Sequence, residues 1–183
     1  KGCLGVNGTY EKVATLDIAQ RVQRMLTEET DAVALITRQD DRFLGLRERT
    51  RMANAWGADV FLSIHLNADP YGVGHGVETW FLSPDSADTE AQHLVAAEEA
   101  AYGEHDHEDE VETELIDTII QDATHRAAQA ASEALAGTVV KRLHTLTNAP
   151  FRGVKQAPFG VLKEATMPAI VVECGFFSHH QEG

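Results

Sequence analysis

The chain has 183 residues, with 15 Lys and Arg against 29 Asp and Glu, a formal net charge of −14 and a hydrophobic fraction of 43%. That is one domain's worth of chain, with apolar content enough for a core that takes roughly 70% of the unfolded surface out of water. The acidic balance argues against general electrostatic binding to nucleic acid or anionic membranes, and no apolar run approaches the roughly 18 residues that a membrane span requires.

The chain opens in a loop, KGCLGVNG, with no charged-then-apolar leader, and closes on HHQEG without ending a strand or helix, the pattern expected of a fragment. From Thr9 to Thr30, Val13, Leu16, Ala19, Val22 and Leu26 recur at helical spacing. AVALIT at 32–37 reads as a short buried strand, since its apolar run lacks alternation. A second helix is predicted from Phe43 to Trp56, followed by buried strands over DVFLSI (59–64) and GVETWFL (76–82). Residues 98–117 then hold ten Asp or Glu and no Lys or Arg, so setting these ten aside leaves −4 for the rest of the chain and the acidity is local. A long alanine-rich helical stripe runs from Leu115 to Leu143, and VKQAPFGVLKEA and AIVVEC read as two closing strands around a turn at Met167-Pro168. Helices between strands imply a single α/β domain with a mostly parallel twisted sheet, whose ligands sit at the carboxyl ends of strands. Cys3 and Cys174 are too few and too far apart to form a disulfide framework.

Three residues stand where such a fold does chemistry. His65 follows the strand DVFLSI, a position that equally suits a histidine satisfied within the structure. Glu173 ends the apolar run AIVVE, where a carboxylate is costly unless it meets a cation, a metal or a reacting group. Glu11 opens the first helix, where a carboxylate is also favoured simply by the helix dipole. Converging at one sheet edge, the three supply the mixture of His and carboxylate ligands, plus a separate base, that zinc hydrolytic sites use.

Taken in order, GVNGTYEKVATLDIA (5–19), LITRQDDRFLGLRERTRMAN (35–54), ADVFLSIHLNA (58–68), GVETWFLS (76–83) and RGVKQAPFGVLKEATMPAIVVECGFFS (152–178) resemble the zinc-dependent N-acetylmuramoyl-L-alanine amidases that cleave bacterial peptidoglycan. The resemblance covers nearly the whole chain, read as one catalytic domain over 1–183. It implies that Zn²⁺ is held by Glu11 and His65, which match the family's Glu-Lys and Ser-Ile-His motifs, and that Glu173, in the Val-Glu-x-Gly-Phe segment, is the catalytic carboxylate. The family's remaining ligand, a His in a Gly-His-Gly loop after an N-terminal strand, has no counterpart here. Gly74-His75-Gly76 lies after the His65 strand, in the wrong place to substitute for it. The implied reaction is hydrolysis of the amide between the lactyl group of N-acetylmuramic acid and L-alanine, with Glu173 taking a proton from the attacking water and returning it to the leaving amine. Asn67 is left between orienting substrate and shaping a turn, and Arg38, Arg47 and Arg51 are expected to tie strand to helix.

An insertion at about 86–130 resembles the regulatory region of the periplasmic cell-division amidases, in which a helix covers the active site and lends a carboxylate to the zinc. By motif position the inhibitory ligand is Glu98, with Glu99 its neighbour; a solvated acidic loop is the plainer reading. The likeness implies a LytM-type activator protein as partner and a periplasmic or cell-envelope location. EHDHEDE at 104–110 offers His105 and His107 to cations without the spacing of a calcium loop, and is expected to be mobile. Two other readings stay open: a zinc peptidase acting on cell-wall peptides, and a non-catalytic wall-binding module.

Overall fold

The computed structural model describes residues 2–83, 89–102 and 115–182, with side chains throughout these except at 90, 101, 102 and 115–127. Four strands form one sheet: β1 (Phe61–Asn67), β2 (Val77–Leu82), β3 (Phe151–Ala157) and β4 (Ala169–Phe176), in the order β1-β4-β2-β3. β1 runs parallel to β4 and β2 parallel to β3, while β2 and β4 are antiparallel. The result is an α/β domain with a mixed, mostly parallel sheet.

Residue alternation along the strands divides the core in two. Phe61, Trp80 and Val171 point to one face and pack with Leu46 and Ala53 of α2 (Leu46–Ala55) and with Ala91 and Val95 of α3 (Thr89–Tyr102). Phe81, Ile170 and Val172 point to the other face, against Ala136 of α4 (Leu115–Thr147). β4, buried on both sides, therefore needs the unbroken apolar run that its sequence has. Small residues let α4 lie close enough to the sheet for polar bonds. The Thr79 hydroxyl donates to the Ala136 carbonyl at 3.0 Å, and the Ala169 N–H donates to Ser132 Oγ at 3.0 Å.

The helix expected over 9–30 is α1 (Glu11–Glu29). AVALIT forms no strand, contrary to the expectation for 32–37. Val33 is 87% exposed and Leu35 55% exposed. Periodicity identifies an extended apolar segment, but a strand also needs a neighbour to bond with. Among the described residues, β1 pairs through one edge only, with β4. Its other edge faces a groove of about 680 Å³ that separates it from 32–37 and α1.

The closing segment also differs from its expected form. β3 ends at Ala157, ahead of Pro158, which has no N–H to continue a ladder. Gly160–Leu162 is a single 3-10 turn, buried through Val161 and Leu162.

Candidate active site

Glu11 is brought to the sheet by the loop before α1. The Gly5 N–H donates to the Thr9 carbonyl at 2.8 Å and the Glu11 N–H to the Cys3 carbonyl at 2.9 Å, folding residues 3–10 back on themselves. The carboxylate then accepts from the Cys3 N–H at 3.0 Å and from the Leu66 N–H at 3.3 Å, bridging this loop to β1. Gly2 makes the approach possible: at φ +68, a Cβ there would lie 2.3 Å from Glu11 Oε2.

His65 and Glu173 are register partners across β1 and β4, and Glu173 is in turn opposite Glu78 across β4 and β2. One row across the sheet thus carries imidazole, carboxylate and carboxylate on the same face. Neither His65 nor Glu173 ends its strand. β1 continues to Asn67 through a register shift and β4 to Phe176, because Asn67 and Phe176 pair beyond the site.

His65 Nδ1 donates to Glu11 Oε1 at 3.0 Å, and its Nε2 lies 3.1 Å from Ser63 Oγ and 4.0 Å from Glu98 Oε1. Both oxygens of Glu98 and Oε2 of Glu173 are buried without a hydrogen-bond partner among the described residues.

Electrostatics follow from this crowding. Burial works against a charge on His65, but its hydrogen bond to Glu11 and the negative charges of Glu173, Glu11 and Glu98 outweigh it and push the imidazole up to about 9. Burial, relieved in part by His65 and reinforced by Glu11, Glu78 and Glu98, pushes Glu173 up to about 8. Burial likewise raises Glu98. Glu11 is also buried, yet its bonds to His65 and to backbone N–H groups hold it below the ordinary carboxylate range. Burial, with Glu11 beside it, pushes the Cys3 thiol up to about 12.

Glu78 is the site residue that the sequence reading missed. It is fully buried and accepts from Asn67 Nδ2 at 2.9 Å, Trp80 Nε1 at 3.3 Å and Arg152 Nε at 2.7 Å, with Lys155 Nζ at 2.9 Å. Its signal was visible: a carboxylate inside the apolar run of GVETWFL is the same anomaly that marked Glu173 in AIVVE. Asn67, buried and bonded to Glu78, is committed to the structure.

Of the other residues singled out, Arg47 and Arg51 both pair with Glu164, at 3.5 and 3.1 Å. Arg38 donates to the Lys12 carbonyl at 2.6 Å. His75 is exposed and stacks on His179, with ring centroids 5.1 Å apart. Glu98 turns into the site at 8% exposure, whereas Glu99 is exposed and faces Lys163 at 3.8 Å. His105, His107 and the rest of 104–110 lie outside the described residues.

Glu11, His65, Glu98 and Glu173 line one pocket of about 620 Å³. Among the described residues, no group of three or more His, Cys, Asp or Glu side chains is gathered at metal-ligand spacing. The donor chemistry nonetheless fits a divalent ion: an imidazole and carboxylates converge on one pocket, and three buried carboxylate oxygens have no hydrogen-bond partner among the described residues.

Residues 1–183 match the Amidase_3 model, described as N-acetylmuramoyl-L-alanine amidase. The chain belongs to this family. The amidase-family chain is 32% identical over 171 residues to the sporulation-specific N-acetylmuramoyl-L-alanine amidase of Bacillus subtilis, covering 93% of the chain and 49% of that relative. It is 28% identical over 186 residues to the amidase AmiA of Escherichia coli, covering 99% of the chain and 63% of AmiA. It spans about half or less of the first two Bacillus subtilis relatives that it matches. An N-acetylmuramoyl-L-alanine amidase structure from Clostridium difficile 630 superposes with a TM-score of 0.71 at 28% identity, over 100% of the chain and 76% of that structure.

Proposed function

We propose that this protein is a zinc-dependent N-acetylmuramoyl-L-alanine amidase, hydrolysing the amide between N-acetylmuramic acid and L-alanine in peptidoglycan. The observation that carries the reading is the meeting of three separate elements at one point. Glu11 from the first turn of α1, His65 from β1 and Glu173 from β4 line a single pocket in a chain of this family.

Glu11 and His65 would hold the metal, exchanging their mutual hydrogen bond for a shared ion. A zinc ion there supplies Lewis acidity toward water and the amide carbonyl. Glu173 is the group that takes the proton from the attacking water and passes it to the departing amine. Its place suits the work, since Glu173 stands in register with His65 and lines the same pocket, within reach of a water held there.

Purified peptidoglycan treated with the protein and zinc is expected to release peptides with a free N-terminal L-alanine from intact glycan, and Glu173→Gln to abolish release. Products that keep the lactyl amide would identify a peptidase instead. Binding to the wall without release, and without stoichiometric metal, would identify a non-catalytic module.

The regulatory part of the reading rests on α3. Its residues Leu94, Ala97 and Glu98 line the same pocket, and the Glu98 carboxylate has no hydrogen-bond partner among the described residues. A helix in that position competes with substrate, and an activator of the LytM type would act by favouring the state in which α3 has left. Glu98→Ala is then expected to raise activator-free hydrolysis, and an unchanged rate would discard this part alone. The cell envelope is the location where such a substrate is met. No described helix is long and apolar enough to cross a membrane.

A further inference from the structure

Gly74-His75-Gly76 takes no part in the pocket of Glu11, His65 and Glu173, yet the chain around its histidine is closely held. On one side the Asp69 carboxylate accepts from the Val73 N–H at 2.8 Å and the Gly74 N–H at 2.7 Å. On the other, the Glu182 carboxylate accepts from the Gly76 N–H at 2.9 Å and the Phe176 N–H at 2.8 Å. The Asp69 N–H in turn donates to Ser178 Oγ at 2.8 Å. These bonds join the stretch that carries His75, ahead of β2, to the turn that carries His179, after β4.

The two imidazoles so placed lie with ring centroids 5.1 Å apart and planes within 21° of parallel. His75 Nδ1 donates to the Val73 carbonyl at 3.0 Å, which leaves its Nε2 lone pair without a hydrogen-bond partner among the described residues. His179 is held lightly, by a long bond of 3.4 Å from the Gln181 N–H to its Nδ1. The carboxylates fix the backbone, and the imidazoles are what the two segments present.

We propose that His75 and His179 form a metal site separate from the zinc pocket, a two-imidazole chelate for a divalent transition-metal ion with water in the remaining positions. It stands whether or not the amidase reading holds. Imidazole nitrogen suits Cu²⁺, Ni²⁺ and Zn²⁺, Cu²⁺ most strongly, and does not suit Mg²⁺ or Ca²⁺, which take oxygen ligands. Two nitrogens bound to one ion at about 2.0–2.1 Å lie about 3–4 Å apart, a separation that side-chain rotation reaches from centroids at 5.1 Å. The backbone scaffold is therefore kept, and a bound ion ties the β1–β2 connection to the turn after β4.

The test is a Zn²⁺ titration followed on the imidazole signals of each histidine by nuclear magnetic resonance. His75 and His179 are expected to shift together with one shared dissociation constant, and Cu²⁺ to broaden the same two signals at lower concentration. His75→Gln and His179→Gln are each expected to weaken binding at the remaining ring about a hundredfold, the gain that a second tethered donor supplies. His180→Gln is expected to leave the constant unchanged. Separate constants for the two rings, an unmoved constant in either single variant, equal weakening by His180→Gln, or an equal response to Mg²⁺ overturns the proposal. Should His179→Gln fail to fold, His75→Gln decides, since His75 is exposed. The His65 signal reports the zinc pocket by itself, so failure of one site is read apart from failure of the other.

Discussion

Glu78 and Glu173 face each other across the antiparallel β2–β4 pair; Glu78 is ion-paired to Arg152 and Lys155, whereas Glu173 stands beside His65. Two carboxylates directly opposite on one sheet face repel. The fold resolves this by giving Glu78 both Arg152 and Lys155 and leaving Glu173 protonated near neutral pH, with a pKa of about 8. Replacing Glu78 by Gln removes a negative neighbour and leaves two cations behind, so Glu173 is expected to titrate lower by about one unit. Carboxyl carbon shifts followed against pH measure this directly, and an unmoved or higher value would contradict it.

Two of the raised groups, Glu173 and His65, contribute to the pH dependence of the metal-free protein. A proton is bound more tightly in the folded state by Glu173, at about 8 against an ordinary 4.5, and by His65, at about 9 against 6.5. Each contribution is complete below the ordinary value and lost as pH climbs through the folded one. Stability from these groups is thus expected to fall between pH 4.5 and 9. Urea midpoints across that range should decline, and Glu173→Gln should flatten the part below about pH 8.

Zinc held by His65, as proposed, would displace the proton that the imidazole keeps up to about pH 9. About one proton per zinc is expected to be released from this group at pH 7, with affinity tightening as pH rises. Calorimetry in buffers of different ionisation enthalpy counts the protons, and uptake without release would show that His65 is not a ligand.

Gly2 is pressed against the carboxylate that it helps to place. Gly2→Ala puts a methyl group 2.3 Å from Glu11 Oε2 and forces an alanine to φ +68. Because the loop cannot close over a displaced Glu11, zinc affinity is expected to drop about tenfold, the scale of lost support around a metal ligand. Competition against a chromophoric chelator reads the change, and an unaltered constant would show that the carboxylate moves aside freely.

Ser132 supplies the acceptor for the first N–H of β4, at 3.0 Å. Ser132→Ala leaves that buried donor unpaired and is expected to cost about 1–3 kcal/mol. A lower urea midpoint with an unchanged denaturant slope is the expected result.

Much of this protein was legible in one dimension. Helical spacing located α1, α2 and the long alanine-rich helix, and uninterrupted apolar runs located β1, β2 and β4, because burial on one stripe or on two faces leaves a periodic trace in residue type. Glu11, His65 and Glu173 were visible as polar residues at the ends of such patterns. What residue type cannot report is the neighbour. AVALIT has a strand's composition but forms no strand among the described residues, and Glu78 differs from Glu173 in the neighbours it meets, Arg152 and Lys155 among them. The row joining His65, Glu173 and Glu78 exists because β4 inserts between β1 and β2, long-range pairings that only the packed sheet decides. Local pattern determines which segments must be buried; the contacts among them set each group's charge, and with it the chemistry.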